Sequence, residues 1–436
     1  MSVPFPGIQR WIVALAGTVL QMGLGTVYAW SYFQALLVKW YRWSYVDTAW
    51  AFSLLILSLG FSAAWAGFNL PRFGARKLAI AGAVLFALSY VLGGLALHAK
   101  SLPLFYLGYS VVGGIGIGFG YVTPVATVTK WFPDKRGLMS GVVVMGFGFG
   151  ALLMSKLLAP AFLRAASGDL VTVFETMGVA FAVVLIPISA ILREPPALAA
   201  ASPASQASSA VVPRKELPAK AYLFSSEFVQ MWLMFFCNIS AGISIISMQS
   251  PLVQEVWERM DPSLEPMTLA EYGATLIAVS SLFNGVGRVF WGLISDRIGR
   301  IAAFRVIMAT QMIVFGFLMT EHNPWIFSGL CCYVLLCFGG GFGTMPAFVS
   351  DVFGASRMPL IYGTMLTAWA SAGIAGPLIV ATLKDNFPDR AVIYCFLCGV
   401  LFLGGGVIVS FLTSNDPLKP GKPASTDIGI DTAVSA

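Results

Sequence analysis

The sequence predicts an all-α membrane protein with twelve transmembrane helices arranged in two six-helix, pseudo-symmetric halves. Of its 436 residues, 58% are hydrophobic and 11% are charged, and the mean hydropathy is +0.82. Soluble domains carry about 25% charged residues, so this composition excludes a soluble protein. Twelve apolar segments are each long enough to cross a hydrocarbon layer of about 30 Å. Motifs in the first six segments recur in the last six, which predicts an internal repeat.

The twelve segments are predicted as one helix each. Those of the first half cover 11–36, 46–69, 78–98, 102–128, 137–163 and 170–192. Those of the second half cover 225–250, 270–294, 301–320, 324–349, 358–383 and 391–413. The first segment is too long for the apolar core of a signal peptide, and no small-residue cleavage site follows it. We therefore interpret it as the first spanning helix.

Composition divides the chain into four parts. An N-terminal six-helix bundle is predicted for 1–192 and a C-terminal six-helix bundle for 225–413. Residues 193–224 are rich in Ala, Ser and Pro and carry several basic residues, which is typical of a mobile cytoplasmic linker. Residues 414–436 are predicted to be a flexible cytoplasmic tail.

The basic residues indicate the orientation in the membrane. If both termini are cytoplasmic, most of the lysines and arginines fall in cytoplasmic loops, as the positive-inside rule requires. This distribution explains the net charge of +6 without nucleic-acid binding. We expect a monomer in a bacterial cytoplasmic (inner) membrane, with the lipid bilayer as its surroundings.

Two loops and two helices carry the internal repeat. The loop Gly67-Phe-Asn-Leu-Pro-Arg-Phe-Gly74 follows the second segment, and Gly292-Leu-Ile-Ser-Asp-Arg-Ile-Gly299 follows the eighth. Gly118-Phe-Gly120 in the fourth segment is echoed by Gly341-Phe-Gly343 in the tenth. Two parallel six-helix repeats predict a binding site between them, near the middle of the membrane.

Arg288 is the main candidate for that site. It lies in the eighth segment, within about twenty residues that contain no other charge. A cation there costs roughly 2.5–3.5 kcal/mol on insertion scales, and such residues usually serve an ion or a substrate. Its planar fork of donors matches a carboxylate, so we expect a small organic anion as the ligand. Asn284 lies one turn earlier on the same face. The alternative is a side chain that snorkels to the nearby cytoplasmic surface.

The loop after the eighth segment resembles the signature loop of the major facilitator superfamily. It contains Gly292, Asp296, Arg297 and Arg300 in the family pattern. The resemblance implies that the aspartate pairs across the cytoplasmic helix ends and is released when the carrier opens. The first-half copy keeps Arg76 and Lys77 but has Pro71 in place of the aspartate, so we expect the second-half loop to matter more for gating.

Further motifs narrow the resemblance. Gly25-Thr-Val-Tyr-Ala-Trp30, Gly120-Tyr-Val-Thr-Pro124 and Lys130-Trp-Phe-Pro-Asp-Lys-Arg-Gly137 closely resemble segments of the oxalate/formate antiporter family and of its relatives, the monocarboxylate transporters. The resemblance covers nearly the whole chain except the linker and the tails. It implies that Arg288 holds the substrate carboxylate and that Tyr28 and Tyr121 contribute to the site. Animal monocarboxylate transporters have an aspartate at the position of Asn284, so their particular proton relay is not expected here.

Two further candidates rest on their depth in the membrane alone. Tyr333 in the tenth segment could donate a hydroxyl to the site, and Trp369 in the eleventh could pack on an apolar substrate tail. Interfacial or core packing explains both residues equally well.

Charge counting favours a monocarboxylate. Oxalate exchangers of this family pair the arginine with a lysine in the eleventh helix, where this sequence has Trp369. One cation neutralises one carboxylate, and a second carboxylate would remain unpaired at a cost of several kcal/mol. The hypothesis is therefore transport of L-lactate or pyruvate by alternating access, with proton symport. Exchange of one carboxylate for another, as in oxalate/formate antiporters, is the alternative.

Other classes find less support in the sequence. It contains neither H-E-x-x-H nor G-x-S-x-G, and we expect no enzyme activity, cofactor or metal. A carrier of cationic drugs would require a buried acid instead of Arg288. The glycine runs have no β-strand before them and are interpreted as helix-packing positions. A sensor that does not transport remains an open alternative.

Overall fold

The computed structural model describes residues 7–132, 136–195, 222–354, 357–387 and 390–413. Within these ranges the chain is helical and contains no β-strand. Twelve helices are long and apolar enough to cross a membrane, as predicted. In chain order, α1 to α12, they are Ile8–Tyr41, Tyr45–Phe73, Ala75–His98, Leu102–Trp131, Leu138–Ala165, Leu170–Ile191, Ser226–Met260, Pro266–Ile298, Arg300–Leu318, Pro324–Phe353, Met358–Val380 and Ile393–Leu412. Residues 196–221 of the predicted linker (193–224) and the tail from 414 lie outside the described residues.

Several helices continue beyond the apolar segments. The helix α7 is 35 residues long and ends at Met260, ten residues past the predicted end. Its last turns contain charged residues, which make this part of the sequence less hydrophobic. The backbone nevertheless continues as an α-helix, because these residues are compatible with helical structure. Side-chain caps define several starts: Ser44 and Asp47 form a reciprocal capping box at α2, and Asp169 accepts hydrogen bonds from the first turn of α6.

The two repeated segments, which the sequence predicts as loops, are helical up to their final glycine, and that glycine has the same backbone geometry in both. Gly74 between α2 and α3 has φ +77° and ψ 158°, and Gly299 between α8 and α9 has φ +87° and ψ 154°. Side chains rarely adopt this region, which explains the glycine at both places. The shared conformation agrees with the sequence repeat.

Helices within each group of six pack mainly on each other. In the first group α3 packs on α6 and α2 on α4, and in the second α8 packs on α10 and α9 on α12. The two groups meet chiefly through α2 with α11 and through α5 with α8. These two contacts are equivalent when the groups are exchanged, as expected for pseudo-two-fold symmetry.

Four of the helices depart from regular α-geometry, either near the interface or near the end of the bundle opposite Gly299. A 3₁₀ turn, Thr26–Ala29, interrupts α1 and carries Tyr28. Wider π-type turns occur at Tyr106–Val111 in α4 and Met154–Leu158 in α5, and α11 is broken at Leu366. Such irregularities are frequent at functional positions and reorient the side chains that follow.

Candidate substrate site between the two halves

Arg288 lies fully buried where the two groups of helices meet. Its exposed fraction is 0%, so it does not snorkel to the surface. The Nη1 group donates a hydrogen bond of 3.2 Å to the hydroxyl of Tyr121 on α4. The guanidinium also lies 4.9 Å from the ring centroid of Phe342 on α10 and 5.6 Å from that of Phe147 on α5. Residues of both halves therefore surround this cation, and the two rings stabilise it in part.

One edge of the guanidinium makes no hydrogen bond within the described part of the chain, although the hydroxyl of Tyr28 interacts electrostatically with the group. Among the described residues, neither Nε nor Nη2 of Arg288 has a hydrogen-bond partner, and no carboxylate pairs with the group. These two donors lie on the same side of the planar group, where they match the two oxygens of one carboxylate. Buried donors without acceptors are costly. The geometry is thus complementary to a small anion.

An aromatic cage encloses the cation. Three rings come from the first half and three from the second: Tyr28, Tyr121, Phe147, Phe338, Phe342 and Trp369. Trp369 contacts rings of both halves, with centroid distances of 5.3 Å to Tyr121 and 4.8 Å to Phe342. Most of the ring pairs are edge-to-face, the geometry that aromatic quadrupoles favour. The cage supplies an apolar wall next to one cationic group.

The sequence-predicted residues do not all meet there. Tyr28, Tyr121 and Trp369 belong to the cage, and Asn284 lies one turn from Arg288 with an unpartnered Oδ1 and 1% exposure. Tyr333 is not brought into the cage. Its hydroxyl donates to Thr310 on α9 at 2.7 Å. Tyr333 lies nine residues, or two and a half turns, before Phe342, so the two occupy opposite faces of α10.

Tyr362 is a site residue that sequence reasoning missed. It lies on α11, two turns before Trp369, and its side chain is fully buried. Its hydroxyl interacts electrostatically with Tyr121 and Arg288. The spacing of seven residues from Trp369, which places both on one helix face, is the signal that could have revealed it.

The phenylalanines of the cage were also missed, because an apolar ring in an apolar helix carries no sequence signal. Phe147 lies between two glycines that permit close helix contacts. A Cβ at Gly148 would lie 2.5 Å from the Cα of Gly285 on α8, and a Cβ at Gly146 would collide with the backbone of α1 at Thr18. The glycines thus bring α5 close enough for Phe147 to reach the cation.

A buried glutamine holds Tyr121 in place. Gln21 on α1 donates a hydrogen bond of 2.9 Å to the main-chain carbonyl of Tyr121. This carbonyl lies in the turn that precedes Pro124, where the proline removes one N–H from the helix. The contact fixes α1 against α4 beside the partner of Arg288.

The site is closed on both sides. A cavity of about 10 Å³ lies towards the signature loop and is lined by Arg288, Gly292 and Asp296 among others. A second cavity of about 10 Å³ lies towards the opposite end and is lined by Tyr28, Gln249, Ser281 and Asn284 among others. Each is about the size of one water molecule. Among the described residues, neither side therefore offers a path wide enough for a substrate, and this conformation is an occluded one.

The signature loop forms a charged cluster at one end of the bundle. Arg300 pairs with Asp296 and, across to α10, with Asp351, whose Oδ2 lies 2.9 Å from Nε. Arg300 also donates to Ser295 at 2.6 Å. The cluster joins α8, α9 and α10 within the second half. Arg297, Arg76 and Lys77 are exposed, and among the described residues Asp296 pairs with Arg300 and not with Arg297.

The second intramembrane cation of the sequence, Lys156, lies far from Arg288. Its Nζ donates a hydrogen bond of 2.7 Å to the hydroxyl of Thr275, which lies 13 residues before Arg288 on α8. At 1.5 Å per residue the separation is about 20 Å. Arg288 is therefore the single cation of the cage within the described ranges. These ranges also contain no cluster of His, Cys, Asp or Glu that could hold a metal.

Two groups of six helices with a buried cation between them are an architecture of secondary transporters. The family model of the Major Facilitator Superfamily matches residues 11–377 and again 267–427, and the chain belongs to that superfamily. It is an integral membrane transporter and not an enzyme.

Relatives and solved structures are consistent with this family. The oxalate:formate antiporter of Oxalobacter formigenes is 26% identical over 87% of this chain and 86% of its own length. The apicoplast pyruvate carrier 1 of Toxoplasma gondii is 26% identical over 73% of this chain and 66% of its own length. A crystal structure of a D-xylose-proton symporter has the same fold, with a TM-score of 0.67 at 14% identity, covering 94% of this chain and 99% of that one.

Proposed function

We propose that this protein is a secondary active transporter of a small monocarboxylate such as L-lactate or pyruvate. The observation that carries the proposal is the unpartnered Nε and Nη2 edge of the buried Arg288. A carboxylate would complete both hydrogen bonds and remove the unpaired buried charge. The similarity to a pyruvate carrier and to an oxalate:formate antiporter supports a carboxylate as the substrate class.

Charge balance supports a substrate with one carboxylate. The cage holds a single cation among the described residues. The resemblance to oxalate exchangers implies that Trp369 stands where those proteins carry a lysine. The remaining walls are aromatic, which suits a short apolar tail such as a methyl group. Asn284 adds an amide for a hydroxyl or keto oxygen without adding charge.

The transport cycle follows from the position of the site between the halves. The anion enters from outside and forms two hydrogen bonds with Arg288. With the charge neutralised, the halves close the outer path and rock about their interface. The inner path opens when the cytoplasmic ends separate near Gly292 and the Asp296–Arg300–Asp351 cluster. Arg297, Arg76 and Lys77 complete the proposed gating surface.

Proton symport is the favoured coupling. No carboxylate or imidazole of the described residues belongs to the cage. The proton therefore travels with the substrate or through the tyrosines of the site. Exchange of one carboxylate for another is the alternative, supported by the similarity to the oxalate:formate antiporter. We place the protein in a bacterial inner membrane as a monomer, with both termini cytoplasmic and two bundles covering 1–192 and 225–413.

The test uses purified protein in liposomes. We expect an imposed pH gradient to drive uptake of labelled L-lactate into vesicles with an empty lumen. Arg288→Gln abolishes this uptake, whereas Arg259→Gln, which removes an exposed cation near the end of α7, leaves it unchanged. Uptake of oxalate but not of lactate would contradict the monocarboxylate assignment. Uptake that requires a carboxylate inside the vesicles would identify an exchanger.

A further inference from the structure

A basic cleft lies outside the substrate site, at the end of the first half that also carries the start of α1. It has a volume of about 230 Å³ and is lined by Gln9, Ile12 and Val13 of α1, Arg76 at the start of α3, and Ile191 and Arg193 at the end of α6. The two arginines are exposed, and among the described residues neither has a carboxylate partner. The transport cycle proposed above requires no anion at this place.

The main chain next to Arg193 is held in a defined position. The indole Nε1 of Trp131 donates a hydrogen bond of 2.7 Å to the carbonyl of Arg193. The next residue, Glu194, forms an ion pair with Lys130. The acidic group closest in sequence to Arg193 is therefore already paired. Arg193 is thus presented on an anchored segment, which lowers the entropic cost of binding an anion.

Exposed apolar side chains border the cleft. Ile12 is 47% exposed and Ile191 is 40% exposed, and both line the cleft. Ile8, Trp11 and Leu15 on the same stretch of α1 are exposed as well. Exposed apolar residues on a membrane helix lie against acyl chains. The cleft therefore combines two exposed cations with an exposed apolar border.

We propose that this cleft binds the headgroup phosphate of an anionic glycerophospholipid, with one acyl chain lying along Ile12 and Ile191. Basic pockets between helices at the membrane surface recognise such headgroups, and guanidinium groups bind phosphate oxygens through pairs of N–H donors. The bound lipid bridges α1, α3 and α6 and so stabilises the ends of these helices. The proposal does not depend on the identity of the transported substrate.

Native mass spectrometry of the full chain tests the proposal. The protein is reconstituted in phosphatidylcholine vesicles with and without phosphatidylglycerol, and the lipid retained after extraction is counted. We expect preferential retention of phosphatidylglycerol, which falls several-fold in the double variant Arg76→Gln/Arg193→Gln. The matched control, Arg72→Gln/Lys77→Gln, removes two exposed charges from the same region but outside the cleft and retains the lipid. Equal losses in both variants would show diffuse attraction only and would overturn the proposal.

Two further arms address the lipid itself. Ile12→Gln keeps every charge and is expected to weaken retention, because it removes the apolar contact of the acyl chain. An unchanged retention in this variant contradicts the proposed acyl position. Excess inorganic phosphate is expected not to displace the lipid; displacement would identify a simple anion site instead. Because the wild-type comparison of the two lipids needs no variant, a misfolded double variant would not leave the proposal untested.

Discussion

At the scale of single residues, the function proposed here depends on how one guanidinium is partnered. Nη1 of Arg288 has the hydroxyl of Tyr121, and two rings lie against the group, but Nε and Nη2 have no acceptor among the described residues. If position 288 served only for packing, methionine or leucine would give a more stable fold, because an incompletely paired buried charge is destabilising. A bound anion would accept hydrogen bonds from Nε and Nη2 and so offset the cost of burying the charge.

The planar arrangement of N–H donors in Arg288 is expected to contribute to substrate affinity in addition to the charge. Arg288→Lys keeps the cation but cannot form two parallel hydrogen bonds with one carboxylate. Loss of one charge-assisted bond of roughly 1.5–3 kcal/mol predicts an affinity about 10- to 150-fold lower. Titration with lactate, monitored by thermal shift, measures the affinity, with Arg259→Lys as the control. An affinity within twofold of the wild type would contradict bidentate binding.

Trp369 is expected to determine whether the site prefers a substrate with one carboxylate or with two. Trp369→Lys introduces a second cation into the cage, so a dicarboxylate no longer leaves a charge unpaired. We expect this variant to bind oxalate at least tenfold more tightly than the wild type and to bind lactate more weakly. Trp369→Gln is the control, because it opens similar space without a charge. If the affinity for oxalate increased equally in both variants, the size of the cage and not its charge would determine specificity.

At the scale of helices, α5 and α8 form one of the two close contacts between the halves. The backbones approach at Gly148 and Gly285, where a Cβ on either residue would collide with the opposite helix. Next to this contact, the hydroxyl of Ser281 donates to the carbonyl of Gly148 and accepts from the N–H of Leu152 at 3.0 Å. In an uninterrupted α-helix these two backbone groups would pair with each other. The hydroxyl of Ser281 is thus inserted between two backbone groups of α5. The π-type turn of α5 follows directly, at Met154–Leu158.

Gly148→Ala is expected to prevent the occluded state. The added Cβ would lie 2.5 Å from the Cα of Gly285, a backbone atom that cannot move aside without separating the helices. Overpacking of this kind costs roughly 1–3 kcal/mol, and we expect at least a tenfold loss of transport rate. Gly141→Ala is the control on the same helix, since its nearest neighbour in α8 would be 3.7 Å away. Equal activity of the two variants in liposomes would contradict this role.

The Ser281 hydroxyl is expected to favour the closed outer side. In Ser281→Ala, the carbonyl of Gly148 and the N–H of Leu152 can pair with each other, and an interaction between the halves of about 1 kcal/mol is lost. We expect thiol labelling of Ala151→Cys, which lines the cavity on the side opposite the signature loop, to become about fivefold faster. Ser280→Ala is the control, because that hydroxyl bonds to Gln249 within the second half at 2.7 Å. Equal labelling rates would exclude a clamping role for Ser281.

At the scale of the whole molecule, two contacts hold the halves together along their length. Pairs along α5 and α8 run from Gly141 beside Arg288 to Lys156 beside Thr275. On the other side, Gly60 and Gly67 of α2 approach α11 at Ala370 and Pro359. Contacts on both sides of the buried cation explain why the site is closed at both ends. Alternating access requires that one end of these contacts separate at a time.

Linking the outer ends of α5 and α8 is expected to stop transport. Lys156 and Thr275 are joined by a hydrogen bond in the occluded state, so a short bifunctional thiol reagent can join Lys156→Cys to Thr275→Cys. A linked protein cannot open outward, and we predict loss of lactate uptake that a reducible reagent restores on reduction. Each single cysteine variant treated with the same reagent is the control. Full uptake by linked protein would contradict rocking of the halves about this interface.

Much of the architecture was predictable from the sequence. Twelve apolar segments, the loops repeated at Gly74 and Gly299, and an arginine within an uncharged span are visible in the residue order itself. They are visible because a bilayer imposes a minimum apolar length and a high cost on a buried charge, and both constraints act locally along the chain.

The neighbours of Arg288 were decided by the tertiary structure. Lipid is as apolar as the interior of the bundle, so hydrophobic periodicity does not show which face of a membrane helix points inward. Tyr333 was therefore predicted at the site although it faces α9, while Tyr362, Phe147 and Phe342 were missed. The free edge of the guanidinium and the insertion of Ser281 into α5 depend on how helices distant in sequence rotate and cross. Only the packed bundle determines those rotations, because they follow from the contacts of many side chains at once.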